Sequence, residues 1–246
     1  MDKKLDIVYP LINSVQDNIE FKYSLRSLAN YPHWNVYIIG YLPPRVNKTK
    51  VKHIDYNMYS PYWHIITSNK LYQASMVSTI SDDFIFMNDD IYIIKEVKDI
   101  PYYKVWSLED HLNYLKQKNI MNSYTREILE MYNRFPKWDS FEAHTPIKYN
   151  KAKIQMFVNV FWVETLRRSN YCNYYDIEWV LVNSWDYRNT TIISDCKYYG
   201  STNVYWCGNR PIRFSTGQEF VSSNGSHDNL IRYLDNMFPD KCEYEL

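Results

Sequence analysis

The first hundred residues alternate between short apolar runs and longer segments with helical periodicity. Phe84–Met87 is a continuous apolar run between polar residues, which predicts a strand buried on both faces. Phe21, Leu25 and Leu28 recur at helical spacing, which predicts an amphipathic helix from residue 17 to 28. Further strands are predicted at Leu5–Leu11, Val36–Gly40, Val51–Tyr56 and Tyr92–Val97, and a second helix at His64–Ser78. Strands separated by single helices indicate βαβ units, and therefore a parallel sheet with helices on its faces.

Beyond residue 97 the pattern becomes more helical and more aromatic. Helices are predicted from Ser107 to Lys118, around Tyr124–Tyr132, from Lys151 onward and at Ser226–Phe238, and short strands at Thr190–Cys196, Val204–Cys207 and Pro211–Phe214. No repeat, low-complexity tract or linker divides the chain. We therefore expect one α/β domain over residues 1–246, with residues 1–100 as its nucleotide-binding half.

Three polar residues, Asn88, Asp89 and Asp90, follow the apolar strand directly. In open α/β sheets, the carboxyl ends of the strands form the crevice where ligands bind. Two adjacent carboxylates beside an apolar strand need compensation, which Mg²⁺ or Mn²⁺ bridging a diphosphate would supply. Strand alternation places Asn88 and Asp90 on one side and Asp89 on the other. The alternative is a plain turn, because Asn and Asp are ordinary turn residues after a strand.

Composition narrows the classes of partner. Lys plus Arg and Asp plus Glu each number 28 among 246 residues, so nucleic acid or an acidic membrane would have to bind a local patch. The 25 Tyr, 8 Trp and 10 Phe suit stacking on sugars or bases as well as core packing. The four cysteines form neither a zinc nor a redox motif. Without an apolar leader or a membrane-length apolar run, we expect a cytoplasmic protein that does not enter the membrane.

Three motifs in this order resemble GT-A-like glycosyltransferases. They are Tyr23-Ser24-Leu25-Arg26-Ser27-Leu28, then Phe84-Ile85-Phe86-Met87-Asn88-Asp89-Asp90, and then His144-Thr145-Pro146. Two branches share such elements: phage-encoded glycosyltransferases related to the base J glucosyltransferase, and the Stealth family of sugar-phosphate transferases for surface polysaccharides. The run Lys148-Tyr149-Asn150-Lys151 and the compact chain look more like the phage branch. The similarity covers roughly residues 5 to 155.

The resemblance implies a Rossmann-like mixed sheet flanked by helices, with residues 101–246 as the acceptor-side half. It implies a metal-dependent enzyme that transfers a hexose from a UDP-sugar to a hydroxymethylpyrimidine base in DNA, in the host cytoplasm if the protein is phage-encoded. A monomer or weak oligomer is expected. One alternative is Stealth-type transfer of a sugar or sugar phosphate to a surface polysaccharide. Another is a non-catalytic module that binds carbohydrate or nucleic acid.

By resemblance, Asn88-Asp89-Asp90 stands at the Asp-x-Asp position of these enzymes. Asp90 would bind the Mn²⁺ or Mg²⁺ ion on the diphosphate, with Asn88 and Asp89 contacting the donor. Asn at the first position departs from the strict pattern. His227, at the start of the last predicted helix, would either complete the metal shell or be an exposed helix-start histidine.

Four further residues in the first half of the chain are predicted to bind the donor. Arg26 and Lys70 lie on helices near strand ends, where a cation would stabilise the departing diphosphate. The alternative for both is a solvated helix face. Tyr9 and Pro10, on the first strand, lie where such folds seat the base and ribose.

Residues that bind the acceptor or take its proton are expected in the second half of the chain. His144 is a candidate for accepting the proton of the acceptor hydroxyl, or a structural histidine, and Asp195 is a second candidate base. Thr145 precedes a proline, so its backbone is held extended. His144 and Lys148 are separated by an even number of positions on this extended segment and can project from it together. Lys148 and Lys151 belong to the densest basic region and would follow the backbone of a DNA acceptor.

Overall fold

The computed structural model describes most of the chain through residue 181 and shorter stretches beyond it. The described residues are 4–13, 18–94, 96–117, 119–121, 123–141, 145–163, 167–181, 196–199, 204–207, 210–213, 220–223 and 228–246. The strands are β1 (Leu5–Leu11), β2 (His33–Gly40), β3 (Val51–Ile54), β4 (Asp83–Phe86), β5 (Ile91–Ile93), β6 (Tyr103–Lys104), β7 (Trp106–Ser107), β8 (Asp139–Ser140), β9 (Ile147–Asn150), β10 (Val180–Leu181), β11 (Cys196–Tyr199), β12 (Val204–Cys207), β13 (Arg210–Arg213) and β14 (Phe220–Ser223). The helices are α1 (Ile19–Ser27), α2 (Trp63–Met76), α3 (Leu108–Gln117), α4 (Ser123–Arg134), α5 (Lys151–Val160), α6 (Arg168–Tyr174) and α7 (Asp228–Met237).

The central sheet has five strands in the order β3-β2-β1-β4-β9. The first four are parallel, and β9 runs antiparallel beside β4. The predicted α/β class, with a mixed sheet flanked by helices, is therefore confirmed. β4 lies inside the sheet as its apolar run predicts, because Phe84 and Ile85 are 0% exposed and Phe86 is 3% exposed.

Helices cover both faces of the central sheet. On one face, α1 contributes Phe21 to a buried cluster that includes Ile7. On the other face, α2 contributes Leu71 to a cluster that includes Val8. Ile7 and Val8 are neighbours on β1, so strand alternation sends them to opposite faces. The two clusters together bury the sheet between α1 and α2.

The second half of the chain adds smaller sheets. The strand predicted at Tyr92–Val97 is shorter in the structure, and as β5 it pairs antiparallel with β14 in a sheet of order β11-β14-β5. Because this partner lies far along the chain, no local pattern indicates the pairing. The strand predicted at Val204–Cys207 is confirmed and pairs with β13. Most of the strand predicted at Thr190–Cys196 lies outside the described residues.

Helices α3 and α4 pack on each other through a cluster that includes Leu112 and Ile128. α3 begins beside the predicted cap, since the Asp110 amide donates to Ser107 Oγ at 3.0 Å. Over the ranges given above, no helix is both long and apolar enough to span a bilayer.

The segment 238–246 is fastened to α1 by a buried ion pair. Arg26 donates to both oxygens of the Glu245 carboxylate, at 2.7 and 3.0 Å, and to the Phe238 carbonyl at 2.7 Å. The Arg26 and Glu245 side chains are only 7% and 10% exposed. Burial acts to raise the pKa of Glu245, but the Arg26 bond and a bond from the Cys242 amide together hold this pKa below its usual value. Arg26 therefore connects two parts of the chain that are remote in sequence.

Arg26→Met should lower the free energy of unfolding by about 3 kcal/mol, because it leaves the Glu245 carboxylate buried without its partner. Urea unfolding measures the loss. Lys50→Met is the matched control, since Lys50 pairs with Glu243 at 2.9 Å where about half of each side chain is exposed. The control should lose less than about 1 kcal/mol. Equal losses in the two variants would contradict a stabilising role for the buried pair.

Candidate functional site

The crevice of the central sheet lies between β1 and β4, where the strand order reverses. The chain passes from β1 through α1 to β2 on one side, and from β3 through α2 to β4 on the other. α1 and α2, the crossovers on the two sides of this point, cover opposite faces of the sheet, and in sheets of this kind ligands bind in a crevice at the carboxyl ends of the strands that flank such a point. The Asn-Asp-Asp turn follows β4 at this point, so the crevice is the candidate functional site.

Asn88, Asp89 and Asp90 form a tight turn at the crevice. The Ile91 amide donates to the Asn88 carbonyl at 3.3 Å, which closes the turn. All three residues are partly exposed, directly after the buried residues Phe84–Met87. The turn therefore presents the first polar groups that β4 brings to the surface at this edge.

A buried hydrogen-bond chain supports the turn. Ser24 Oγ donates to the Ile91 carbonyl at 2.7 Å. The Tyr9 hydroxyl lies 3.0 Å from Ser24 Oγ and 3.6 Å from Sδ of Met87, the residue that follows β4. Burial raises the pKa of Tyr9, which keeps this hydroxyl protonated. Tyr9, predicted to contact the nucleotide, lies in the core with 0% of its surface exposed, and it holds β1, α1 and the turn together.

Asp89 joins the turn to the connection that leaves β1. Asn18 Nδ2 donates to Asp89 Oδ2 at 3.2 Å and to the Ile12 carbonyl at 2.9 Å. Asn18 has a φ of 49°, in the left-handed region where asparagine is enriched. Burial raises the pKa of Asp89, while the Asn18 bond and the nearby Lys70 ammonium act in the opposite direction. Asp89 therefore ties the two sides of the crevice together.

Lys70 brings a positive charge to the same place. The residue is 2% exposed, and its ammonium donates to the Leu11 carbonyl at the end of β1. Side chains on a helix point toward its N-terminus. The Lys70 side chain, in the middle of α2, therefore places its ammonium at the carboxyl edge of the sheet. Burial lowers the pKa of Lys70 to about 8, although Asp89 favours its charged form. The diphosphate-binding role predicted for Lys70 stays a prediction.

Gly40 leaves room for the Lys70 ammonium. Gly40 ends β2 with a φ of 109°, in the region that favours glycine. A methyl group there would overlap both the ammonium and the Leu11 carbonyl. His53 Nε2 lies 2.7 Å from the Gly40 carbonyl, so β3 also reaches this edge. Neither Gly40 nor Asn18 was predicted as a site residue, because the need for each arises from contacts with remote parts of the chain.

Arg26 and Pro10 do not contribute side chains to this arrangement. Arg26 was predicted to hold the diphosphate, but its guanidinium is occupied by Glu245 and the Phe238 carbonyl. Pro10 is paired with Ile39 within the sheet and is half-buried. The candidate site therefore contains neither residue.

Lys148 and Lys151, predicted to bind the acceptor, lie on β9 and at the start of α5. Lys151 is 8% exposed, and its ammonium donates to the Ile80 carbonyl, which ties α5 to the segment before β4. Lys148 pairs with Asp99 at 3.4 Å. It lines a cleft of about 360 Å³ together with Asp83, at the opposite end of β4 from the turn. Neither lysine lies at the crevice between β1 and β4.

Three predicted site residues, His144, Asp195 and His227, lie outside the described residues, and their roles stay predictions. Across the ranges that the structure covers, no three His, Cys, Asp or Glu side chains are grouped so that they could hold a metal ion. Metal binding by Asp90, with His227 as a second protein ligand, stays a prediction. Mg²⁺ commonly binds through one or two carboxylates and substrate phosphates, so the Asp90 carboxylate fits a cation that arrives with a diphosphate.

No family model matches the sequence, and no curated protein matches it. Among solved structures, the apo form of the glycosyltransferase GlyE from Streptococcus pneumoniae TIGR4 aligns with a TM-score of 0.28 and 13% identity, over 55% of this chain and 44% of that chain. A second GlyE structure aligns with a TM-score of 0.29 and 13% identity, over 52% and 43%. The chain thus spans less than half the length of the GlyE chains. At these scores the likeness carries no argument about activity, and the resemblance to the base J and Stealth families stays a prediction.

Gly40→Ala should displace the Lys70 ammonium and lower the free energy of unfolding by about 1–3 kcal/mol, from overlap and an unfavourable φ. Lys70→Met removes the ammonium, so the added methyl group should be less damaging in that background. A double-mutant cycle in urea should give a coupling of at least about 0.5 kcal/mol. Additive losses would show that the two residues act independently.

Proposed function

We propose that the chain is a nucleotide-sugar-dependent glycosyltransferase whose donor diphosphate binds at the carboxyl ends of β1 and β4. One observation supports this proposal most directly. The buried Lys70 ammonium lies near the Asn-Asp-Asp turn, at the point between β1 and β4 where the strand order reverses. A diphosphate needs positive charge from its site, and a ligand at a switch point contacts loops on both sides. Lys70 supplies the charge, and the turn supplies the second wall.

Lys70 and Asp90 have different roles in the proposed reaction. When the bond between the anomeric carbon and the diphosphate oxygen breaks, its electron pair moves to the diphosphate, and the Lys70 ammonium stabilises the growing charge. Asp90 would hold a Mn²⁺ or Mg²⁺ ion, which neutralises diphosphate charge when bound. Asp89 and Asn18 keep the turn and the connection after β1 at a fixed separation, so the donor meets prearranged groups.

The acceptor supplies the second half of the reaction. Its hydroxyl oxygen bonds to the anomeric carbon and loses its proton. His144 and Asp195 remain the proposed proton acceptors, on the basis of the sequence alone.

Three cations in or near the predicted basic region are engaged in contacts within the protein, which supports a carbohydrate hydroxyl over a DNA base as the acceptor. Within the predicted basic region, Lys151 is buried and Lys148 pairs with Asp99. Arg167 pairs with Glu127 at 2.5 Å. A protein that follows a DNA backbone uses its cations to neutralise phosphates. We therefore propose a glycan acceptor, which is also the acceptor class of the Stealth-type alternative.

Incubation with Mn²⁺, a panel of UDP-sugars and a panel of glycans should release UDP, as nucleotide chromatography would measure. Lys70→Met should lower kcat/KM for the donor by about 100-fold, because it removes one preorganised group that stabilises the leaving diphosphate. Lys116→Met, which changes an exposed lysine on α3, should match the wild type. UMP in place of UDP would indicate sugar-phosphate transfer, and release of neither nucleotide would favour a binding module.

Donor affinity should fall as the pH rises through about 8. The pKa of Lys70 is lowered by burial to about 8, so the ammonium is present below this pH and lost above it. Calorimetric titration with a UDP-sugar between about pH 7 and pH 9 measures the change. The Lys70→Met variant should bind weakly and lack this dependence. An equal fall in both proteins would assign the titration to another group.

A further inference from the structure

Three exposed aromatic rings lie at the end of the segment that joins β3 to α2 and on the first residue of α2. Tyr59, Tyr62 and Trp63 are 92%, 50% and 68% exposed. Single exposed apolar residues are ordinary on protein surfaces, but a concentration of large rings within a few positions marks an interaction site. We call these three residues the aromatic loop.

The aromatic loop lies at the same edge of the sheet as the Asn-Asp-Asp turn. β3, β2, β1 and β4 are all parallel, so the segment that leaves β3 emerges at the carboxyl ends of β1 and β4. α2 then runs back along the sheet, and Trp63 precedes Lys70 by two turns, about 10 Å along the helix axis. Because the Lys70 ammonium lies at the end of β1, the aromatic loop rises beyond the crevice on the α2 side.

The base of the aromatic loop is held in place by α4. His64 Nδ1 lies 3.0 Å from the Glu127 carboxylate, which also accepts a bond from Arg167 at 2.5 Å. The Tyr62 ring lies 5.8 Å from the His64 ring, tilted by 32°. Burial and the Arg167 charge lower the pKa of His64 to about 4, so its imidazole is neutral near pH 7. These contacts fix Tyr62 and the first turn of α2, and an anchored backbone loses little conformational entropy when a ligand binds.

The chemistry around the aromatic loop suits a neutral sugar. Residues 55–69 contain no lysine or arginine. They include Asp55 and Asn57, both exposed, whose side chains bond each other at 2.6 Å. Aromatic faces pack on the apolar faces of sugar rings, and carboxylate and amide groups bond their hydroxyls. The phosphates of a nucleic acid would meet no cation on this segment.

We propose that the aromatic loop binds the sugar rings of a neutral glycan, which is the acceptor of the transfer. Trp63 and Tyr59 provide the stacking faces, and Asp55 accepts bonds from the glycan hydroxyls. The glycan lies above Lys70 while the donor diphosphate occupies the crevice. This assignment rests on the proposed function, and it moves acceptor binding from the region of β9 to the connection between β3 and α2.

An array of neutral oligosaccharides probed with the labelled full chain, without nucleotide sugar, tests the inference. Trp63→Ala and Tyr59→Ala should each weaken glycan retention at least about tenfold, because each removes a stacking face. Trp63→Phe, which keeps a flat ring, should retain most of the binding. Trp34→Ala is the matched control, since Trp34 is 67% exposed but lies at the start of β2, at the opposite edge of the sheet. This control should bind as the wild type does.

Several outcomes would overturn the inference: no neutral glycan retained by the wild type, equal retention by the Trp63→Ala and Trp34→Ala variants, or Trp63-dependent retention of single-stranded DNA alone. Measuring UDP release by the wild type distinguishes a failure of this inference from a failure of the proposed function. If the wild type turns over a UDP-sugar but glycan retention is independent of Trp63, the aromatic-loop assignment fails alone. If no UDP-sugar is turned over but retention still depends on Trp63, the transferase proposal fails and the glycan site stands.

Discussion

Burial of β4 on both faces is the constraint from which the architecture and the site both follow. A strand with apolar side chains on each face must lie inside a sheet that is itself covered on both sides. β1 and β9 flank it, while α1 and α2 cover the opposite faces. The buried run Phe84–Met87 thereby contains no polar side chain, and Asn88, Asp89 and Asp90 follow it where the strand order reverses. The position of the site is a consequence of how the core is built.

The Tyr-Ser-Leu-Arg-Ser motif on α1 serves this framework in the structure. Tyr23 donates to Asp235 at 2.6 Å, and Arg26 binds Glu245, so two of its side chains fasten α1 to the C-terminal part of the described chain. Ser24 supports the Asn-Asp-Asp turn through a buried bond. A motif that suggested a donor contact thus holds the surroundings of the site in place. Polar residues on a helix can carry such structural roles without touching a ligand.

Sequence reasoning succeeded where the physical signal is local. The apolar run before Asn88 predicts both a buried strand and the polar turn at its end, and helical spacing predicts α1. It failed where the partner is remote: the pairing of β9 beside β4, and of β5 with β14, leaves no trace in local periodicity. Asn18 and Gly40 were missed for the same reason. Arg26 was interpreted as a ligand contact or a solvated side chain because its partner, Glu245, is 219 positions away.

That separation also sets an order of events during synthesis. Ribosomes add about 5–20 residues per second, so roughly 10–45 seconds pass between the emergence of Arg26 and that of Glu245. Until then the guanidinium lacks the carboxylate that offsets its burial, and α1 cannot dock with its final stability. β1 is translated before this interval and β2 to β4 are translated within it, so all four strands are available to pair first. The nascent chain therefore completes the support beneath its crevice only after residue 245 has left the ribosome.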